Sequence, residues 1–339
     1  MIGVGDVELQ AKPLTFSERG FPYSEFPVGW FQVGWSGQLA VGAVVPLHFF
    51  DTDLVLFRTD GGAAAVLDAT CPHMGAHLGF GGEVTGDCLR CPYHGWEWDA
   101  GGDLVDVPYS RRTPEVSTRA WPTEESAGII YVWHDQRGGP PTWSPPSITE
   151  DDDPTFHRPY PHGTTAERVM THPQFVVENF PDIVHMKYVH EWLEVPVPDI
   201  YDLSGPIAHN AYRGLIATPK GSVEVYNHGY AYGIGINVAR ITGPMSSCTV
   251  GAFTPIDQTW SMGFASVWVQ KRRDDEEQPT GVGAAMIRAN LAQLLGDDHD
   301  RPIFEHLRYQ TKPMLVPEEA ALHRDFRRWS KQFYPESAQ

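Results

Sequence analysis

Short runs of four to eight residues, rich in apolar side chains and separated by turn-forming residues, fill the first part of the chain. Apolar and polar positions either alternate within a run or are apolar throughout, which is typical of half-buried and buried strands. The runs lie at 28–34, 43–50, 53–58, 63–68, 84–90, 95–98, 103–107 and 128–133. Asp60-Gly61-Gly62 supplies a turn between two of them. This even spacing predicts a small antiparallel barrel or sandwich.

The second part of the chain mixes strand and helix patterns. Its strand-like runs lie at 221–240, 247–255 and 259–271, and its helical patterns at 284–295 and 303–310. Together with the β-rich first part, they indicate the α+β class. The Pro/Gly-rich stretch 195–215 is compatible with a lid over a site and equally with an ordinary surface loop.

A chain of 339 residues is expected to form two domains. The boundary falls where Gly-Gly-Pro-Pro-Thr-Trp-Ser-Pro-Pro at 138–146 precedes the acidic run 150–154, a composition that predicts neither helix nor central strand. The expected division is an N-terminal segment 1–25, a first domain 26–141, a linker 142–154 and a second domain 155–339.

The charge balance excludes some partners. With 43 acidic and 25 basic residues, the formal net charge is −18, which argues against nucleic acid or an anionic membrane surface. We find no segment of signal-peptide type and no apolar run of eighteen residues, so we expect a soluble, cytoplasmic protein. Four cysteines are too few for a disulfide framework.

Two short boxes carry the most specific chemistry in the sequence. Cys71-Pro72-His73 is followed, after seventeen intervening residues, by Cys91-Pro92-Tyr93-His94. This is the ligand set of a Rieske [2Fe–2S] cluster, in which two thiolates hold one iron and two imidazoles hold the other. A Cys/His zinc site that uses Cys88 is the alternative, and the prolines and glycines around the ligands disfavour it. Cys88 and Cys248 are expected to be reduced bystanders.

A second metal site is indicated by Asp182, His185 and His190. Two histidines and a carboxylate with open positions are the ligands of a non-haem Fe(II) centre that activates oxygen. Asp182 and His185 would share a helix face if helix restarts after Pro181. His190 would join them if that helix is distorted, for example by a π-bulge. Taken alone, such a histidine pair is more often part of a core or a surface, and Asp182 could simply favour a helix N-terminus.

The third ligand must be a carboxylate from a distant part of the sequence. The acidic turn 296–300 joins the two helical patterns and offers Asp297, Asp298 and Asp300. Spacing alone does not choose among them, and an acidic run of this kind is usually a solvated loop.

These motifs resemble the terminal oxygenase component of Rieske-type non-haem iron oxygenases. The likeness is greatest to the bacterial 3-ketosteroid 9α-hydroxylase oxygenase branch, which includes sterol desaturase-like relatives. It is carried by Cys71-Pro-His-Met-Gly75, Asp106-Val-Pro-Tyr-Ser-Arg-Arg112, Thr118-Arg-Ala-Trp121, Val132-Trp-His-Asp135 and Arg327-Arg-Trp329. It is dense over 26–141, patchy over 170–192 and present again over 298–334, with nothing specific at 193–285.

The resemblance implies roles for particular residues and a fold. Asp300 would be the carboxylate ligand, because family members carry an Asp five residues before a Glu, here Glu305. Asp182 would connect the two metal centres across neighbouring subunits of a homotrimer. The second domain would have a helix-grip fold, a curved antiparallel sheet with helices over the iron.

The resemblance also implies an activity and partners. The chain would be a monooxygenase that uses O2 and electrons drawn from NAD(P)H through a ferredoxin or a flavin/iron–sulfur reductase, acting on an apolar, steroid-like substrate. Desaturation and O- or N-demethylation remain alternatives because they need the same metals. An electron-transfer protein without catalysis would leave the second half unexplained, and Met74 disfavours an aromatic-ring dioxygenase. The substrate and the oxidised position stay open.

Overall fold

The computed structural model describes residues 13–218, 221–273, 275 and 278–334. Within these ranges the helices are α1 Thr149–Asp152, α2 Pro173–Val177, α3 His185–Tyr188, α4 Gly281–Leu295, α5 Asp300–His306 and α6 Pro317–Ser330. The strands of the first part are β1 Gly29–Trp35, β2 Val44–Phe49, β3 Thr52–Arg58, β4 Ala64–Asp68, β5 Glu83–Thr85, β6 Cys88–Arg90, β7 Glu97–Asp99, β8 Leu104–Asp106, β9 Ala120–Trp121, β10 Thr123–Ser126 and β11 Ile129–His134. Those of the second part are β12 Phe156–His157, β13 Thr164–Val169, β14 Val197–Asp202, β15 Ile207–Thr218, β16 Gly221–Tyr232, β17 Ile236–Thr242, β18 Ser247–Pro255 and β19 Ser261–Gln270. The α+β prediction is confirmed.

The first part consists of three small antiparallel sheets, ordered β2-β3-β4-β9, β5-β6-β7-β8 and β1-β11-β10. Strand β3 explains why they pack together. Its Leu54 and Leu56 face one hydrophobic core, whereas Val55 and Phe57 face another that also contains the two box cysteines. A strand buried on both faces needs a continuous apolar run, and burying each such side chain contributes about 1.5–3 kcal/mol.

Every strand-like run of the first part contains a strand, with one change of form. The run 84–90 is a hairpin of β5 and β6, because Gly86 adopts a left-handed φ of 62° and turns the chain. Strands β9 and β10 had not been expected from the sequence. β10 reads Thr-Glu-Glu-Ser, and it is a strand because it pairs with the apolar β11.

The second part is built on an eight-stranded antiparallel sheet, ordered β12-β19-β18-β17-β16-β15-β14, with β13 also paired to β19. The expected run 221–240 is the β16–β17 hairpin, while 247–255 and 259–271 correspond to β18 and β19. The two predicted helices are α4 and α5, and the latter ends before residue 310. No helix in the described ranges is long and apolar enough to cross a membrane.

Two local expectations were wrong. The stretch 195–215 is neither lid nor loop, because it forms β14, at the edge of the sheet, and most of β15. A proline is tolerated in β14 because an edge strand and its bulge leave backbone donors unpaired. The stretch 142–154 contains helix α1, and Ile148 just before it is buried in the main core. The composition of this segment did not indicate that one of its side chains would be buried, and this burial holds the segment against the core.

The main hydrophobic core lies between the β1 sheet and the outer face of the large sheet. Phe31 and Trp35 of β1 pack there with Val238 and Val250 from β17 and β18. The indole of Trp35 also donates to Ser266 Oγ at 2.8 Å. The inner face of the large sheet is therefore left to form a cavity with the helices.

Candidate metal centres and their cavity

The two Cys/His boxes form loops with matching backbone hydrogen bonds. The N–H of Cys71 donates to the carbonyl five residues later at 2.8 Å, and the N–H of Gly75 donates back to the Cys71 carbonyl at 2.9 Å. Cys91 and Gly95 repeat both contacts, at 2.8 and 3.0 Å. Each loop closes on a glycine with left-handed φ, 77° and 74°, a conformation that strains other residues.

The loops bring the four predicted cluster ligands to one place. Cys71 and Cys91 are buried, and burial raises the pKa of the Cys71 thiol. The rings of His73 and His94 are partly exposed, with centroids 4.6 Å apart, and Trp96 stacks on His73 at 4.2 Å. Two buried thiols and two partly exposed imidazoles match the donor set of a Rieske cluster.

The zinc alternative for these boxes needs Cys88 as a further ligand. Among the described residues, one group of three His, Cys, Asp or Glu side chains has its ligand atoms within 4.8 Å of one another, and it consists of His185, His190 and Asp300. Cys88 lies on β6 beside acidic side chains that help to raise its pKa, after burial as the main cause.

The predicted second centre begins at helix α3, which is a single turn. The Nδ1–H of His185 donates to the backbone carbonyl of Asp182, while the Asp182 carboxylate accepts the His185 backbone N–H at 3.3 Å. The ring contact fixes the tautomer, so that His185 Nε2 keeps a free lone pair. Asp182 thus precedes the helix instead of sharing its face, and its carbonyl, not its carboxylate, orients the ring.

His190 reaches the site because α3 ends, without a π-bulge. The helix stops at Tyr188, so that Val189 and His190 lie in the turn that follows it. The rings of His185 and His190 then lie with centroids 5.1 Å apart. The early end of α3 solves the spacing problem for which the sequence had suggested helix distortion.

Asp300 completes the group from a distant part of the chain. It is the first residue of α5, and its Oδ2 lies 3.3 Å from His190 Nε2. Asp297 and Asp298 are exposed, and Asp297 pairs with Arg301 on the outside. Of the three acids that spacing left open, the fold brings only Asp300 to the histidines.

Arg19 holds α5 in place, and sequence reasoning had missed it. Its guanidinium, 3% exposed, donates to the backbone carbonyls of Phe304, of Leu307 at 2.6 and 2.8 Å, and of Met170 at 2.6 Å. Burial lowers the pKa of Arg19 to about 10. An arginine in a weakly patterned N-terminal segment gives no signal of this function, because its partners are backbone atoms 151 to 288 residues away.

The three metal-ligand candidates open into a cavity of about 200 Å³. Helices α2, α3, α4 and α5 and the inner face of β15–β18 form its walls. Apolar side chains such as Val176, Met186 and Leu294 line part of it. The rest is unusually rich in carboxamides, from Asn179, Asn210, Asn227, Asn237, Asn290 and Gln293. The sequence had not indicated these amides, since they are scattered over 115 positions.

Comparisons with known proteins agree with this geometry. Residues 29–119 match the family described as Rieske [2Fe-2S] domain, and residues 132–334 match the 3-ketosteroid 9alpha-hydroxylase C-terminal domain. The chain is 30% identical to cholesterol 7-desaturase nvd of Bombyx mori, over 92% of this chain and 70% of the relative. It is 28% identical to the 3-ketosteroid-9-alpha-monooxygenase oxygenase component of Rhodococcus rhodochrous, over 92% and 84%. Dicamba monooxygenase bound to 3,6-dichlorosalicylic acid shares the fold, with a TM-score of 0.72 at 19% identity over 92% and 98% of the two chains.

Proposed function

We propose that this chain, which belongs to the Rieske oxygenases with a 3-ketosteroid 9α-hydroxylase C-terminal domain, is the terminal oxygenase of a multicomponent monooxygenase. Its substrate would be an apolar, steroid-like molecule. The observation that carries the proposal is the convergence of His185, His190 and Asp300 at the wall of a cavity, in a chain that also carries both Rieske boxes.

The metal ligands follow from the donor sets. Cys71, His73, Cys91 and His94 would hold the [2Fe–2S] cluster, and the two histidines with Asp300 would hold Fe(II). Bound there, these groups would supply single electrons and activate O2 next to the substrate. In this proposal residues 26–141 are the electron-transfer domain and residues 155–339 the catalytic domain.

The protein side chains prepare the second centre in defined ways. His185 presents Nε2 because Nδ1–H is held by the Asp182 carbonyl. Asp300 is 7% exposed, so its carboxylate charge is poorly solvated and favours a cation beside it. Buried Phe304, on the same helix, lines the cavity and excludes water from that side.

Electrons would come from an external ferredoxin or a flavin/iron–sulfur reductase that draws on NAD(P)H. The partly exposed rings of His73 and His94 give such a donor access to the cluster edge. We further propose a homotrimer, in which Asp182 connects the cluster of one copy to the iron of the next.

Exposed apolar side chains support that assembly. Met74, Tyr93 and Tyr109 lie in or near the boxes in the sequence and are 61–65% exposed, while Tyr188 and Val197, close to His190 in the sequence, are 73% and 76% exposed. Head-to-tail contact of the first group with the second would close a ring and cover both. Light scattering should give three times the chain mass, and Tyr188→Glu should lower it. A monomeric wild type would contradict the assembly.

Desaturation is the second candidate outcome, because relatives named cholesterol 7-desaturase match over 92% of this chain. Demethylation would use the same centres. How the substrate is held would decide between hydrogen removal and oxygen insertion.

The test is turnover with a surrogate reductase, NADH and 18O2 on steroids, sterols and methoxy-aromatics, followed by mass spectrometry. One labelled oxygen in a steroid product is expected; loss of two hydrogens would indicate a desaturase, and loss of a methyl group a demethylase. His185→Ala should abolish turnover while the cluster still cycles. Asp182→Asn should abolish turnover with both metals bound. Full turnover by His185→Ala would refute the proposed iron site.

A further inference from the structure

Two carboxamides lie beside a glycine on the sheet wall of the cavity. Asn210 of β15 is paired in register with Gly229 of β16, and Asn227 is two residues before that glycine on the same face. Both asparagines are buried, at 4% and 5% exposure. A Cβ at Gly229 would overlap the Asn210 carboxamide and lie 3.6 Å from Asn227 Nδ2. The glycine therefore makes room for two adjacent amides in the cavity wall.

The orientation of the Asn210 carboxamide is fixed by the backbone. Its Nδ2 donates to the carbonyl of Phe180 at 2.8 Å, and this acceptor would reject the oxygen end of the amide. Oδ1 is consequently the atom left over. It is buried, and no donor reaches it from any part of the chain that the structure describes.

A buried acceptor without a donor is costly and rare in native proteins. Here it belongs to a side chain that lines a cavity, with the Nδ2 of Asn227 close by. The site thus offers one acceptor and one donor side by side. A group that donates and accepts at once satisfies both, and a hydroxyl is the simplest such group.

We infer that Asn210 and Asn227 bind a hydroxyl group of the substrate, so that the preferred substrate is a steroid alcohol and not the corresponding ketone. This inference rests on the proposed function. The hydroxyl would donate to Asn210 Oδ1 and accept from Asn227 Nδ2. A ketone accepts only, so it leaves Asn210 Oδ1 buried and unpaired. The amide pair thereby distinguishes the two kinds of relative, since cholesterol is an alcohol and a 3-ketosteroid is not.

The experiment compares two ligands that differ only at one carbon, 5α-cholestan-3β-ol and 5α-cholestan-3-one. Dissociation constants are measured on the metal-loaded protein without reductant or O2, so that no turnover is needed. We expect the alcohol to bind at least about tenfold more tightly, the effect of one unpaired buried acceptor. Equal binding, or tighter binding of the ketone, would overturn the inference and leave the proposed function intact. If neither ligand binds, the steroid-like substrate of the proposed function is wrong as well.

Variants show which side chain causes the preference for the alcohol over the ketone. Asn210→Leu should reduce alcohol binding to the level of the ketone, whereas Asn227→Leu should weaken both ligands, because both accept its hydrogen bond. The matched control is Asn237→Leu, on the same sheet face in β17, which should leave the alcohol-to-ketone ratio unchanged. If Asn237→Leu reduced the alcohol-to-ketone ratio as much as Asn210→Leu does, the assignment of the preference to Asn210 would be overturned. Iron content is measured for each protein, since Asn210 also contacts Phe180. If Asn210→Leu loses iron, the inference is judged from the alcohol-to-ketone ratio of the wild type and from the binding of both ligands to Asn227→Leu.

Discussion

The Arg19 contact allows the support of the iron site to be tested far from any proposed ligand. In Arg19→Met, the long apolar stem is kept and the guanidinium is removed. Three backbone carbonyls, of Met170, Phe304 and Leu307, then lose their charged donor. Because two of them belong to the end of α5 and the residue after it, the helix that begins at Asp300 loses its fixed position.

The magnitude follows from two opposing effects. A buried acceptor left unpaired costs about 1–3 kcal/mol, so three carbonyls cost about 3–9 kcal/mol. Methionine also avoids the desolvation that lowers the pKa of Arg19 from 12.5 to about 10, which offsets ~3 kcal/mol at 1.36 kcal/mol per pKa unit. The hydrogen bonds are the larger effect, and the net loss should be about 3 kcal/mol. For a chain of this length that lowers the melting temperature by about 4 °C.

Thermal unfolding and iron content are measured on the same samples, with the visible absorption of the cluster as an internal reference. The matched control is Arg308→Met, because Arg308 is exposed and lies one residue after Leu307. We expect Arg19→Met to lose iron and stability, and the control to lose neither. If both variants melt within about 1 °C of the wild type and retain iron, Arg19 does not position α5.

Three further predictions concern the metal ligand, a half-buried ion pair and pH. Asp300→Asn should lower iron to under about a tenth of the wild-type content with unchanged cluster absorption, because it removes the anionic ligand; full iron occupancy would contradict the ligand assignment. Arg327→Met should cost about 1.5–3 kcal/mol in urea unfolding, since Glu178, which it contacts at 2.6 Å, loses its cation and keeps the hydrogen bond from Gln174; an unchanged midpoint would show that the pair contributes nothing. Burial lowers the pKa of His134 to about 4 and lowers that of His172 as well. Histidines in the unfolded chain have a pKa of about 6.5, so below that pH the unfolded state binds more protons than the folded state. Stability should therefore be complete above pH 6.5 and fall by up to about 1.4 kcal/mol per pH unit for each histidine toward pH 4, and equal urea midpoints at pH 7 and pH 5 would contradict this.

The sequence revealed most where chemistry requires particular residues at short spacing. Cys71, His73, Cys91 and His94 lie in two boxes whose loops are closed by local hydrogen bonds, so the arrangement is encoded within a few residues. Strand runs of the first part were equally local, because turn residues separate them.

The rest depended on contacts between distant segments. Whether Asp297, Asp298 or Asp300 reaches the histidines is decided by the start of α5 and by Arg19, neither of which spacing shows. The distortion expected before His190 was wrong, because α3 ends at Tyr188 and His190 lies in the turn after it. The cavity amides come from separate elements and meet only through sheet register.

The double-sided burial of β3 limits how this protein can be re-engineered. Alternate residues of that one strand belong to the core around the box cysteines and to the core shared with the large sheet. A chimaera that exchanges residues 26–141 for those of a relative would therefore replace half of a buried interface along with the cluster loops. Successful transplants should need compensating changes at Phe264 and Ser266 of the large sheet, which contact Trp35. The cluster domain can therefore be exchanged only together with the surface against which it packs.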